Sequence, residues 1–227
     1  EKQDKALLCK KEIIKKFKKK FFRSKLIKLH AGILEKSFKK NITNKYLLMK
    51  PNLENVFFAC KLSIILKIKK NIILKALNNF KGLPHRNEIF YQKHGITFIN
   101  DSKATSFDAT QHALKNNKDI FWIVGGLPKL DDKFKFKNIK NNIIKSYIIG
   151  KNINYFKKQI GRKIECKSSF TIENALQNII TDLSLLNQKQ ATILLSPASA
   201  SYDQFNNFAE RGDHFKKLTF KYARKFL

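Results

Sequence analysis

The sequence predicts an α/β protein built on a mostly parallel sheet with helices on both faces. Two observations carry this. From about residue 95 onward, short apolar runs alternate with stretches whose apolar residues recur at helical spacing. The runs at 119–124 (DIFWIV), 145–149 and 191–195 (ATILL) are continuous rather than alternating. Such runs suit strands buried on both faces, as parallel strands are.

Each element follows from local pattern. Residues 1–45 are rich in lysine, with runs such as Lys15-Lys16 and Lys18-Lys19-Lys20 among aromatics, and read as the edge of something larger. Leu47–Met49 is expected to be a short strand. From Asn52 to about Leu66, apolar residues at 53, 56, 57, 59, 60 and 64 fit a largely buried helix, and Asn71–Phe80 fits a second. Gly82-Leu83-Pro84 ends that helix and marks a boundary. Beyond it the expected order is strand Gly95–Asn100, helix Phe107–Lys115, strand Asp119–Val124, strand Lys145–Ile149, helix Asn154–Gln159, a weaker strand Arg162–Cys166, helix Thr171–Leu186, strand Ala191–Leu195 and a long helix from Asp203 to about Phe226.

Composition removes several classes. The apolar run around Val56–Ile68 is interrupted by Lys61 and Lys67, and a membrane-spanning helix needs about 20 apolar residues. Cys9, Cys60 and Cys166 lie far apart with no CxxC and no Cys/His cluster, so neither zinc nor a disulfide framework is expected. The charge of +30 invites a basic module for nucleic acid or an anionic membrane surface. Only five of the 47 basic residues are arginine, however, and the lysines run along the whole chain. Abundant Lys, Asn, Ile and Phe also follow from codons rich in A and T. No specific nucleic-acid partner and no membrane insertion are expected.

In parallel α/β sheets, ligands gather at loops leaving the carboxyl ends of strands. Three candidate loops fall there: Asn100–Thr105 (NDSKAT), Gly125–Lys129 (GGLPK) and Ser196–Ser201 (SPASAS). In the first, Lys103 can neutralise a phosphate or carboxylate, Asp101 can accept from sugar hydroxyls, and Thr105 with the free N–H groups of the next helix can hold an anion. A plain helix cap with a solvent-facing lysine explains the same residues. In the second, Gly125-Gly126 admits close backbone approach and Lys129 is a carboxylate or phosphate partner; the alternative is an ordinary tight turn. The third offers a hydroxyl-and-amide cradle, or a cap made by Ser201 or Asp203. At the boundary, His85 can orient a ligand and Arg86 can clamp phosphate with its planar fork, or pair with Glu88. No glycine fits a Walker phosphate loop, because Gly150-Lys151 is followed by Asn152.

Taken together, residues 80–88 (FKGLPHRNE), 100–105 (NDSKAT), Gly125-Gly126 with Lys129, and 195–205 (LSPASASYDQF) with Phe208 and Glu210-Arg211-Gly212 resemble the Mur ligase family from about Tyr46 to the C-terminus. The D-S-K-A-T motif points to its D-glutamate-adding branch. The resemblance implies that residues 83–227 form a Rossmann-like C-terminal ligase domain. It implies that residues 1–82 are the last part of a central ATPase domain whose phosphate loop and magnesium-holding groups belong to a missing portion. It implies an ATP- and Mg2+-dependent amide ligase that joins D-glutamate to UDP-N-acetylmuramoyl-L-alanine through an acyl phosphate, cytoplasmic in a bacterium and monomeric when intact, with this fragment inactive alone. It places Asn52 and Asn55 near adenine, Arg86 at the ATP phosphates and Asp101 at the ribose. Lys103 falls between the nucleotide and amino-acid ends, with Lys103 and Arg86 as the catalytic cations. Thr105, Lys129, Ser201 and the backbone at Phe208 are implied to bind D-glutamate. Metal ligands are expected to be none. Pro51 stands where the family has His, and Ser106 where it has Asn. The usual acidic residue after Gly125-Gly126 is missing. A sister ligase for another amino acid, or for folate glutamylation, is the enzyme alternative; the basic module is the non-enzyme one.

Overall fold

A computed structural model describes residues 5–8, 25–28, 38–48, 50–135 and 139–226. The lysine runs at 15–20 lie outside the described residues. The chain divides into two compact units, Glu1–Lys81 and Gly82–Leu227.

In the first unit, strands β1 (Lys5–Leu8) and β2 (Lys25–Lys28) pair in parallel. Helices α1 (Lys45–Leu48), α2 (Lys50–Ile65) and α3 (Lys70–Asn78) come after them. Phe38, Ile42, Leu47, Val56, Phe57, Cys60 and Ile73 form its core. The expected strand at Leu47–Met49 is helix over its described residues. Asn44 is the reason: its side-chain oxygen accepts from Tyr46 N and its carbonyl from Leu47 N, which starts a helical turn. Met49 itself lies outside the described residues. Asn44 Nδ2 also donates to the carbonyls of Leu77 and Phe80 at 3.1 and 2.6 Å, tying the end of α3 to the start of α1.

The second unit is a six-stranded sheet in the order β3-β4-β8-β5-β6-β7. Its strands are β3 (Glu88–Lys93), β4 (Ile96–Asn100), β5 (Ile120–Gly125), β6 (Ile143–Ile149), β7 (Cys166–Phe170) and β8 (Ala191–Leu195). All neighbours run parallel except the β3–β4 hairpin. The helices are α4 (Phe107–Asn116), α5 (Ile153–Ile160), α6 (Ile172–Leu185) and α7 (Phe208–Phe226). Side chains alternate across the sheet even within continuous apolar runs. Phe121 and Ile123 pack with α6 and α7, while Ile120, Trp122 and Val124 pack with α4 and α5. Every residue of β5 and β8 is buried.

In this second unit three further elements differ from expectation. Glu88–Lys93 is an edge strand, and its half-exposed, mixed pattern concealed it. The weak strand begins at Cys166 rather than ending there. Lys163 and Ile164 instead bond back to the Ile160 carbonyl in a turn after α5, which buries Ile164. The last helix starts at Phe208, not Asp203. Gln204 and Phe205 both donate to the Ser201 carbonyl in a separate turn, and the Asn207 side chain then accepts from Glu210 N at 2.9 Å as the helix cap.

Candidate active site

The carboxyl ends of β4, β5 and β8 lie side by side in the sheet, so the loops 100–105, 125–129 and 196–201 leave it together. Specific bonds bind these loops to one another and to the start of α7. Leu127 and Ala200 exchange both backbone hydrogen bonds at 3.0 Å, closing the glycine loop onto the serine loop. Ser102 Oγ donates to the Phe208 carbonyl at 2.8 Å, and Asp101 N donates to the Leu195 carbonyl at 2.8 Å. Trp122 Nε1 donates to the Ser196 carbonyl and Ser199 Oγ to the Gly125 carbonyl, at 2.8 and 2.6 Å. Gly126 has φ +132°, and a Cβ there would stand 2.5 Å from Ser199 Oγ and 2.6 Å from the Ala200 carbonyl oxygen. Only glycine lets these two loops close so tightly.

Arg211 sits beneath them, 1% exposed. Its Nε donates to Ser102 Oγ at 3.0 Å, and its Nη2 to the carbonyls of Ser102 and Ser199 at 2.9 and 3.0 Å. Its Nη1 lies against Gly126 without a hydrogen-bond partner. Burial pushes the guanidinium down to about 10, and Asp203 is the acid whose charge resists this. Sequence reasoning did not weigh Arg211 by itself, although one signal was present: it is one of five arginines among 47 basic residues.

Asp101 is the buried anion of the site. Its oxygens accept from Asn87 N at 3.0 Å and Ser196 Oγ at 2.7 Å. Burial pushes its carboxyl up to about 6, against those two bonds and the charge of Arg86. His85 and Asn100 hold the neighbouring loop. Asn100 Nδ2 lies 3.0 Å from His85 Nδ1, and Ser102 N donates to Asn100 Oδ1 at 3.2 Å. Lys103 N donates to the His85 carbonyl at 3.0 Å, which sets Lys103 beside Arg86 in the chain path. A Cβ on Gly212 would collide with His85 Nδ1, so α7 carries glycine where His85 presses on it.

The predicted site residues divide between the two units. Arg86 is exposed; Glu88 pairs with Lys216 at 2.8 Å instead of with Arg86. Lys103 is exposed, with its ammonium 3.8 Å from the centre of the Phe208 ring. Lys129 is exposed, Thr105 half-buried and Ser201 buried. The contacts above therefore bring the Thr105, Lys129, Ser201 and Phe208 segments to one sheet end. Asn52 and Asn55 belong to the first unit, where Asn52 Nδ2 donates to the Tyr46 carbonyl at 2.7 Å and Asn55 is exposed on α2. The expected free N–H groups at the start of α4 are not all free. Phe107 N donates to the Asp132 carboxylate at 2.7 Å, and Ala109 N to the Ser106 hydroxyl at 3.3 Å. Asp132 was not singled out because its partner Phe107 lies 25 positions away, beyond any short motif.

Among the described residues no three His, Cys, Asp or Glu side chains group as metal ligands. No described helix is long and apolar enough to cross a membrane.

No protein-family model matches the chain. Its sequence is similar to the UDP-N-acetylmuramoylalanine–D-glutamate ligase of Bradyrhizobium diazoefficiens, 35% identical over 167 residues, covering 74% of this chain and 36% of that one. The enzyme of the same name from Wolbachia of Brugia malayi is 33% identical over 175 residues, covering 77% and 35%. The chain thus spans about a third of the length of the curated relatives it matches. Its fold is similar to that of MurF from Acinetobacter baumannii, with TM-score 0.54 and 18% identity, over 78% of this chain and 38% of that one. It is also similar to a pseudomurein peptide ligase type C from Methanothermus fervidus, with TM-score 0.51 and 18% identity, over 75% and 36%. Over about three quarters of its length, this chain is a relative of the D-glutamate ligases and belongs with them to the Mur ligase family.

Proposed function

We propose that this chain carries the amino-acid-binding end of an ATP-dependent ligase that joins D-glutamate to UDP-N-acetylmuramoyl-L-alanine, in bacterial peptidoglycan precursor synthesis. The relatives bear that activity in their names. The observation that carries the reading is the closure of the three loops over Arg211. This closure brings the segments that carry Lys129, Ser201 and Thr105, and the start of α7, to one sheet end, which supports the reading. D-Glutamate has two carboxylates, and a set of one ammonium, two hydroxyls and a helix start answers both.

Arg86 and Lys103 are exposed cations, and they fit the phosphates of a nucleotide. Asp101 fits ribose hydroxyls, with both its oxygens already oriented by Asn87 and Ser196. Asn52 and Asn55 take the adenine in this reading. ATP, when bound, supplies the phosphoryl group that turns the acceptor carboxylate into an acyl phosphate. The D-glutamate amine then attacks the acyl carbon and phosphate leaves. This chain's part is to hold both D-glutamate carboxylates so that the amine faces the acyl carbon, and to surround the crowded anions with Lys103 and Arg86. The protein acts as a monomer in the bacterial cytoplasm.

The test is titration of the 227-residue chain with D-glutamate, L-glutamate, L-alanine and meso-diaminopimelate, monitored through backbone amide shifts. D-Glutamate is expected to shift the amides around Lys129, Ser201 and Phe208. Lys129→Ala and Ser201→Ala are each expected to weaken it at least about tenfold, the size of a charge-assisted hydrogen bond lost. A preference for another of the four amino acids would replace the substrate, and unchanged D-glutamate affinity in both variants would overturn the site.

A further inference from the structure

The loop carrying Lys129 is held at two points, and each adjoins another residue of the amino-acid site. Upstream, Leu127 exchanges two backbone bonds with Ala200, the residue before Ser201. Downstream, the Asp132 carboxylate accepts from Phe107 N at 2.7 Å, two residues after Thr105. The Tyr155 hydroxyl donates to the Asp132 carbonyl, and Asp132 N reaches back to the Lys129 carbonyl at 3.4 Å. Phe134, buried, packs on Phe107 and Trp122 with ring centres 5.2 and 5.3 Å apart, which anchors the far end of the loop. Lys129 is therefore suspended between the Ser201 loop and the Thr105 loop, and the Asp132 side chain is the link on the Thr105 side.

We infer that Asp132 is a positioning residue, clamping the Lys129 loop to the start of α4 so that Lys129 and Thr105 meet one carboxylate of the amino-acid substrate together. This deepens the D-glutamate reading and rests on it. A carboxylate suits the place because the amide dipoles at a helix start favour negative charge. By filling the Phe107 N–H, Asp132 also takes the helix end away from the ligand. The substrate carboxylate is left to the ammonium of Lys129 and the hydroxyl of Thr105. Small losses of alignment at such a site matter, since an ångström of displacement can cost up to about a hundredfold in reactivity.

The experiment uses the 227-residue chain as wild type, Asp132→Ala, Asp132→Asn, Lys129→Ala and the Asp132→Ala/Lys129→Ala double variant. Thermal unfolding first establishes that each folds. Amide hydrogen exchange at Phe107 reports the clamp, and D-glutamate titration reports its consequence. Asp132→Ala is expected to speed Phe107 exchange and weaken D-glutamate about tenfold. Asp132→Asn keeps an oxygen acceptor and is expected to restore both within about threefold. In the Lys129→Ala background, Asp132→Ala is expected to cost nothing further, because it acts through Lys129. Unchanged affinity in Asp132→Ala, or an equal loss with and without Lys129, would overturn the positioning role while leaving the D-glutamate reading intact. No D-glutamate binding by the wild-type chain would overturn that reading, and the role with it.

Discussion

Replacing Asp101 with asparagine should make this protein more stable at neutral pH, not less. Asp101 is 8% exposed, and burial lifts its carboxyl from 3.8 to about 6. A rise of that size corresponds to about 3 kcal/mol, at roughly 1.4 kcal/mol for each tenfold gain in proton affinity. The folded state holds this proton more tightly than the unfolded chain does. Between about pH 4 and 6 it therefore binds more protons, and its stability falls as pH rises. The cost is absent below about pH 4 and complete above about pH 6.5. Asparagine has the same shape. Its oxygen can still accept from Asn87 N, and its amide can donate to Ser196 Oγ, without a charge to desolvate. Urea unfolding read by the single tryptophan is suitable, because Trp122 is fully buried in the second unit. The two proteins are expected to coincide near about pH 4 and to separate to about 3 kcal/mol by about pH 7.5, the variant being the more stable. A difference independent of pH, or a wild type more stable at about pH 7.5, would refute the reasoning.

Other substitutions test the frame around that group. Arg211→Lys keeps the charge but cannot reach Ser102 and Ser199 as a fork, and Arg211→Ala leaves their carbonyls without donors; each should cost about 3 kcal/mol in urea unfolding. Gly212→Ala would gain up to about 1 kcal/mol in an open helix but should lose about 2 kcal/mol here, because the methyl meets His85 and Asn100. Asp182 accepts from the Tyr147 hydroxyl at 2.7 Å and pairs with Lys145 at 3.0 Å, and Asp182→Ala should cost about 3 kcal/mol. Burial pushes the Asp182 carboxyl up, but Tyr147 and Lys145 outweigh it and hold the carboxyl below the usual aspartate range. Its stabilisation is therefore present above about pH 4 and lost as pH falls further. The Asp182 variant should show a flatter acid limb than the wild type in pH-dependent unfolding.

The sheet was readable wherever burial is symmetric. The runs at 120–125 and 191–195 declare themselves because both faces are covered, leaving no alternation to disguise them. Glu88–Lys93 escaped because an edge strand with one solvated face carries polar residues without regular order. Leu47 was misassigned because three apolar residues in a row carry no period, and the deciding feature was Asn44 upstream. At the site, the cations and hydroxyls were legible as chemistry before a turn or helix. The groups that hold them were not. Asp132 reaches Phe107 across 25 positions, and Arg211 reaches Ser102 across 109. No local window contains both ends of such a contact.

Those long-range contacts explain why the site contains charges that the fold alone would not favour. Asp101 and Arg211 are both pushed toward neutrality by burial, and each bonds to backbone and hydroxyl groups of the loops rather than to the other. An apolar side chain in place of Arg211 would avoid the desolvation but leave the Ser102 and Ser199 carbonyls unpaired. The loops could then not lie as closely as Gly126 allows. An apolar side chain in place of Asp101 would likewise leave the Asn87 N–H and the Ser196 hydroxyl without their acceptor. The loop geometry thus depends on polar partners at both positions, a forked donor at 211 and an acceptor at 101. Arg211 and Asp101 therefore act on the same feature, the close approach of the three loops that the D-glutamate reading requires.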